Sequence, residues 1–161
     1  MGGGREIGKR AEAANNSIAY HSRRPVADVS WKHYPTLVEL AKNSDFLIVI
    51  IPSTPQTNKI VNRDVMEALG PNGILVNVAR GAVVDEAALV EALQGGKLGG
   101  AGLDVFENEP QVPPALLGMD NVVLAPHVGS GTYETRRAMS QLVLDNIDNH
   151  FAGKPLLTPV L

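Results

Sequence analysis

The chain has 161 residues, 44% of them hydrophobic, and its 14 basic against 17 acidic side chains leave a formal net charge of -3. A domain of about 150 residues removes roughly 68–70% of its unfolded surface from water, so one respectable core is expected, while the charge balance offers no basic field for nucleic acid. Cysteine is absent and the longest apolar run, 46–51, has six residues; this excludes a disulfide scaffold and a thiolate zinc site, falls short of the roughly 20 residues a membrane helix needs, and fits a reducing, cytoplasmic setting with no metal.

The chain opens on Gly2-Gly3-Gly4-Arg5-Glu6-Ile7-Gly8 and then takes on helical periodicity. A glycine loop at a helix start presents bare backbone N–H groups to a pyrophosphate, so Gly4, Arg5 and Ile7 are candidate cofactor contacts. The spacing from Gly4 to Gly8 is one residue longer than in the Gly-x-Gly-x-x-Gly fingerprint, and no strand precedes it. The first strand candidate, 17–21, ends at Tyr20-His21 and is followed by Ser22-Arg23-Arg24. An NAD enzyme carries a carboxylate there, about 20 residues after the glycines, to bind the ribose hydroxyls. A hydroxyl and arginines instead hold a 2′-phosphate through charge-assisted bonds, which predicts NADP over NAD, with Ser22, Arg23 and Arg24 as its contacts.

Strand and helix then alternate. Helices are predicted at 36–42, 62–69 and 85–94, each opening on a residue that accepts hydrogen bonds from a first turn: Thr36, Asn62 and Asp85. Between and after them, strands are predicted at 46–51, 74–78, 101–106 and 122–125. Gly70-Pro71-Asn72-Gly73 and Gly95-Gly96-Lys97 read as turns, and 109–117, with its three prolines, as a loop. A last helix, 132–151, places Met139, Leu142, Val143, Ile147 and Phe151 on one stripe, expected to be ordinary core packing. Near-continuous apolar strands suit a sheet covered on both faces. The predicted fold is therefore α/β, a doubly wound parallel sheet of Rossmann type.

Such sheets bind ligands beyond the carboxyl ends of their strands. Arg80 follows 74–78, Glu109 follows 101–106, and His127 follows 122–125, so the topology predicts all three at one rim. They suit hydride transfer to a 2-oxo acid. A guanidinium grips a carboxylate through two bonds and polarises the carbonyl. An imidazole titrates near neutrality and donates a proton, and a carboxylate beside it favours the imidazolium. Asp104 either bonds the nicotinamide amide or merely ends its strand. His21, His33 and His150 are assigned structural roles.

The segments 77–85, 99–110 and 126–136, with Asn77-Val78-Ala79-Arg80-Gly81, Asn108-Glu109-Pro110 and Pro126-His127-Val128-Gly129 at their centres, resemble signature segments of the D-isomer-specific 2-hydroxyacid dehydrogenases. Gly129-Ser130-Gly131-Thr132 and the Gly153-Lys154-Pro155-Leu156-Leu157-Thr158-Pro159 ending are most similar to the plant glyoxylate/hydroxypyruvate and hydroxyphenylpyruvate reductases. The resemblance implies that Arg80 binds substrate, His127 donates the proton and Glu109 supports the histidine. It further implies cofactor contacts at Ser22, Arg23, Val78 and Asp104, and a small 2-oxo acid as substrate. It assigns residues 1–152 to the NAD(P)-binding domain and 153–161 to a segment returning to a substrate domain.

In the family a substrate domain and a first Rossmann strand come before the glycine loop; neither is expected here. The first strand of such a sheet is central, so the two strands beside its place are expected to keep unpaired backbone groups. Leu156, Leu157, Val160 and Leu161 would lie in water at about 1.5–3 kcal/mol each. These surfaces predict a homo-oligomer, a dimer in the simplest case. The alternative to an enzyme is a catalytically inactive fragment that binds dinucleotide or pairs with another subunit.

Overall fold

In the computed structural model, which describes residues 2–159, the helix starts lie where the capping residues predict them. Thr36, Asn62 and Asp85 stand outside α2 (Leu37–Lys42), α3 (Arg63–Leu69) and α4 (Glu86–Gln94), and each side chain accepts a first-turn backbone N–H at 3.2 Å. Thr132 does the same for α5 (Tyr133–Phe151). Each such bond satisfies one of the N–H groups a helix start leaves unpaired and contributes about 1 kcal/mol.

The strands are β1 (Ala19–His21), β2 (Lys32–Tyr34), β3 (Phe46–Val49), β4 (Ile74–Asn77), β5 (Gly100–Leu103) and β6 (Val122–Leu124). All pairings are parallel; α3 and α4 form the crossovers from β3 to β4 and from β4 to β5, whereas no described α-helix lies between β1 and β2 or between β5 and β6. They form two sheets, β1-β2 and β3-β4-β5-β6, instead of the single sheet expected. In the doubly wound order 3-2-1-4-5-6 one strand lies between the second and the fourth. Here β1 and β3 flank that place, and no described strand joins them, so the ladder is interrupted there.

Two compact units divide the chain, 1–126 and 127–161. In the first, Leu47, Val49, Leu75, Ala101 and Leu103 of the four-stranded sheet form one core with Leu40, Ala41, Val65, Met66, Leu69 and Leu89 of α2, α3 and α4. Coverage on both faces is not observed for β3: Leu47 and Val49 are buried, whereas Phe46 is 64% and Ile48 38% exposed. The helices between the strands pack with the buried residues, leaving the alternate positions bare.

Three further expectations are corrected. Gly2, Gly3 and Gly4 form the first turn of α1 (Gly2–Ala13) and not a loop ahead of it. The long spacing explains why: Gly4 and Gly8 are four apart and share a helix face. A Cβ on Gly4 would stand 2.5 Å from Ile50 Cδ1, and one on Gly8 2.2 Å from the Trp31 ring, so bare glycine lets one face of α1 approach both. The strand β2 went unpredicted because Lys32-His33-Tyr34 has no apolar alternation; pairing with β1 creates it. Finally, α5 has no buried residue, and Phe151 is 84% exposed. Its apolar stripe is present in the sequence, but the described residues of the second unit include no strand for it to cover. Leu156 and Leu157 are exposed as well, while Val160 and Leu161 lie outside the described residues.

Candidate dinucleotide and substrate site

The carboxyl ends of β3 and β4 and the first turn of α1 surround a cleft of about 500 Å³, lined by Gly3, Ile50, Ile51, Pro52, Ser53, Val78, Ala79 and Arg80. This volume lies within the roughly 300–1,000 Å³ typical of small-molecule sites. The lining combines an apolar floor with two sources of positive potential: the unpaired N–H groups of a helix start and the Arg80 guanidinium. That donor set suits a dinucleotide, whose pyrophosphate and bases need anion donors and apolar walls respectively.

Arg80 of the strand-end argument lines this cleft, as does Val78, which the resemblance implied as a cofactor contact, whereas Glu109 and Asp104 are not among its lining residues. Gly3 lines it, whereas the expected Gly4, Arg5 and Ile7 do not; Gly4 is turned toward Ile50 because the glycines are helical. Ile50, Ile51, Pro52 and Ser53 went unnoticed in the sequence. Their signal was available, since they follow β3 at the same sheet edge, but none carries a titratable group.

Arg80 is held by its surroundings. The buried Asn77 side chain, 1% exposed, accepts from Ala79 N at 3.1 Å through Oδ1 and donates to the Arg80 carbonyl at 3.0 Å through Nδ2. Asn77 thereby staples the turn that carries Arg80 off β4. The guanidinium Nη1 donates to the Ala79 carbonyl at 2.6 Å, which bends the side chain back along the turn. Next in sequence, Gly81 opens a 3-10 turn, Gly81–Val83, pressed against the Phe106–Glu107 peptide. In the same stretch Glu109 Oε1 accepts from Phe106 N at 3.1 Å. The backbone beside Arg80 and the anchor of Glu109 are thus in contact. Asp104 is a buried acid whose backbone N–H donates to the Asn77 carbonyl at 3.0 Å.

His127 opens the second unit. Its backbone has φ 55, a left-handed conformation shared among the described non-glycine residues only by Asn15 and Lys59. Such a conformation costs about 1–3 kcal/mol and persists where surroundings enforce it, which is common at functional sites.

At the end of β1, Ser22 Oγ donates to the Arg24 carbonyl at 2.6 Å, so the hydroxyl closes its own turn. Arg23 and Arg24 are exposed, and among the described residues neither has a carboxylate within 4.0 Å.

A parallel sheet whose strand ends, glycine-bearing helix and buried acid converge on one edge defines a nucleotide-binding α/β domain. The chain belongs to the D-isomer specific 2-hydroxyacid dehydrogenases, matching that family's NAD binding domain over residues 2–129. It is 58% identical to glyoxylate/hydroxypyruvate reductase A of Arabidopsis thaliana and 56% identical to hydroxyphenylpyruvate reductase of Plectranthus scutellarioides, in each case over 98% of this chain and 50% of the relative. An NADPH-dependent glyoxylate/hydroxypyruvate reductase from Sinorhizobium meliloti, solved in complex with NADP and malonate, superposes with a TM-score of 0.95 at 56% identity, over 98% of this chain and 49% of that one. The chain spans about half the length of the curated relatives it matches.

Proposed function

We propose that this chain serves the reduction of a small 2-oxo acid, such as hydroxypyruvate, glyoxylate or an aryl-pyruvate, to its 2-hydroxy acid with NADPH. The observation that carries the reading is the cleft in which Arg80 and the first turn of α1 face one another across the ends of β3 and β4. The family and the reductase relatives support it. When bound, the nicotinamide supplies the hydride for the carbonyl carbon.

Arg80 grips the carboxylate of the substrate through two parallel bonds and draws charge toward the carbonyl oxygen. His127 hands that oxygen its proton, and Glu109 keeps the imidazole oriented and charged for the step. Val78 walls the nicotinamide, and Asp104 accepts from its amide. The α1 start, with Gly3 in the cleft, would take the pyrophosphate, and Gly4, Arg5 and Ile7 follow it on the same helix. Ser22, Arg23 and Arg24 take the 2′-phosphate, in preference to the unphosphorylated ribose of NAD. In this reading residues 1–152 form the dinucleotide-binding domain, 153–161 lead back toward a substrate-binding part, and the cysteine-free protein is a cytoplasmic dimer.

A hydroxypyruvate-dependent loss of NADPH absorbance that disappears in His127→Ala is the expected result. A second reading is a dinucleotide-binding or subunit-pairing module without turnover. It would be distinguished by NADPH binding with no oxidation at any 2-oxo acid concentration. A preference for NADH of about tenfold or more, equivalent to 1.4 kcal/mol, would overturn the assignment of cofactor.

A further inference from the structure

The strand that local pattern did not reveal carries a residue no part of the proposed reaction uses. His33, in the middle of β2, pairs with Tyr20 in the β1-β2 register. Its Nε2 stands 3.0 Å from the carbonyl oxygen of Ser22. A carbonyl oxygen only accepts, so Nε2 carries the hydrogen and donates. The ring itself is gripped: it packs against Tyr20 with centroids 5.1 Å apart and stacks on His21 at 6.4 Å. His21 in turn donates from Nδ1 to the Tyr34 carbonyl at 3.0 Å, tying β1 to β2 once more.

Three bonds therefore clamp the turn that follows β1. His33 holds the Ser22 carbonyl, the Ser22 hydroxyl holds the Arg24 carbonyl at 2.6 Å, and the Tyr20 hydroxyl accepts from Val26 N at 2.9 Å. The backbone is fixed while the two arginine side chains at its tip stay exposed and, among the described residues, have no carboxylate partner. The backbone of the turn is therefore ordered before an anion arrives, and binding has only the arginine side chains and the Ser22 hydroxyl left to orient.

We propose that His33 is a positioning residue for cofactor choice, setting the preference for a 2′-phosphorylated ribose by holding the Ser22 carbonyl so that Ser22 and Arg23 remain at the end of β1. The inference rests on the NADPH reading above and extends it to a residue that touches no cofactor. It acts through one hydrogen bond of ordinary net strength, so its removal changes discrimination by roughly three- to tenfold.

The test is calorimetric titration of the full chain with adenosine 2′,5′-bisphosphate and with 5′-AMP. His33→Phe keeps a ring against Tyr20 and His21 but has no N–H. The expected result is a several-fold loss of affinity for the bisphosphate with affinity for 5′-AMP unchanged, and partial recovery in His33→Gln, whose amide can donate to the same carbonyl. An unchanged ratio in His33→Phe, while Arg23→Ala abolishes the preference, overturns the role of His33 and leaves the NADPH reading intact. A parallel loss for both ligands, unrelieved in His33→Gln, also overturns it, as a structural effect. A wild-type chain that binds both ligands equally overturns the inference together with the reading beneath it.

Discussion

Gly81 and Phe106 are in backbone contact so close that a Cβ built on Gly81 would stand 1.9 Å from the Phe106 carbonyl carbon and 2.0 Å from its oxygen. Each has a candidate catalytic residue at hand. Arg80 precedes Gly81, and the Phe106 N–H holds the carboxylate of Glu109. The glycine is what lets the backbone after β4 touch the backbone after β5.

Gly81→Ala is therefore expected to destabilise the chain by about 1–3 kcal/mol, since the obstacle is backbone and cannot rotate aside. The urea midpoint should fall, and affinity for a carboxylate probe such as malonate should fall with it, because the Arg80 turn shifts. Unaltered stability and binding would mean that the two segments are not in the described contact.

Asn77→Leu should have a related effect from the opposite side of the turn. It strands the Ala79 N–H, a buried group costing about 1–3 kcal/mol when unpaired, whereas the Arg80 carbonyl keeps its bond from Val83 N at 3.2 Å. Asn77→Asp keeps the acceptor for Ala79 and loses only the donor, so its loss of stability should be the smaller of the two. Equal melting curves for both variants would refute the staple.

Phe46 and Ile48 on β3 and Ile50 just after it, together with Leu142, Val143, Ile147 and Phe151 on α5, are exposed. Apolar surface of this extent favours association. The chain is expected to elute as a concentration-dependent oligomer in gel filtration and to bind an apolar dye. Phe46→Lys with Ile48→Lys should lower both signals without unfolding the core, since neither side chain is buried there. A monodisperse monomer across the concentration range would contradict this.

The exposed start of α1 carries a pH signature. The hydrogen bond from Arg10, 2.6 Å from Glu6, then the Arg10 charge and that of Lys9, hold the Glu6 carboxyl below its ordinary value. A carboxylate lowered on folding contributes stability that is complete above its unfolded value and lost as pH falls through the folded one. The helical circular dichroism of wild type should thus exceed that of Glu6→Gln near neutrality, by a small and salt-sensitive margin, and the two should converge in acid. A difference independent of pH would rule out the pair as its origin.

Much of this molecule is local chemistry, which is why the sequence alone determined it. The caps at Thr36, Asn62, Asp85 and Thr132 act on the turn beside them, strand and helix periods are written in neighbouring side chains, and parallel alternation brings Arg80 and Glu109 to the carboxyl ends of adjacent strands. Tertiary structure decided what depends on distant partners. Pairing with β1 made a strand of Lys32-His33-Tyr34, the bulk of Ile50 and Trp31 favours glycine on one face of a helical α1, and with no described strand between β1 and β3 the strands form two sheets in place of one. The stripe on α5 shows the limit most plainly. Periodicity specifies which side chains share a face, but burial requires a second surface, and no arrangement of a helix's own residues can provide it.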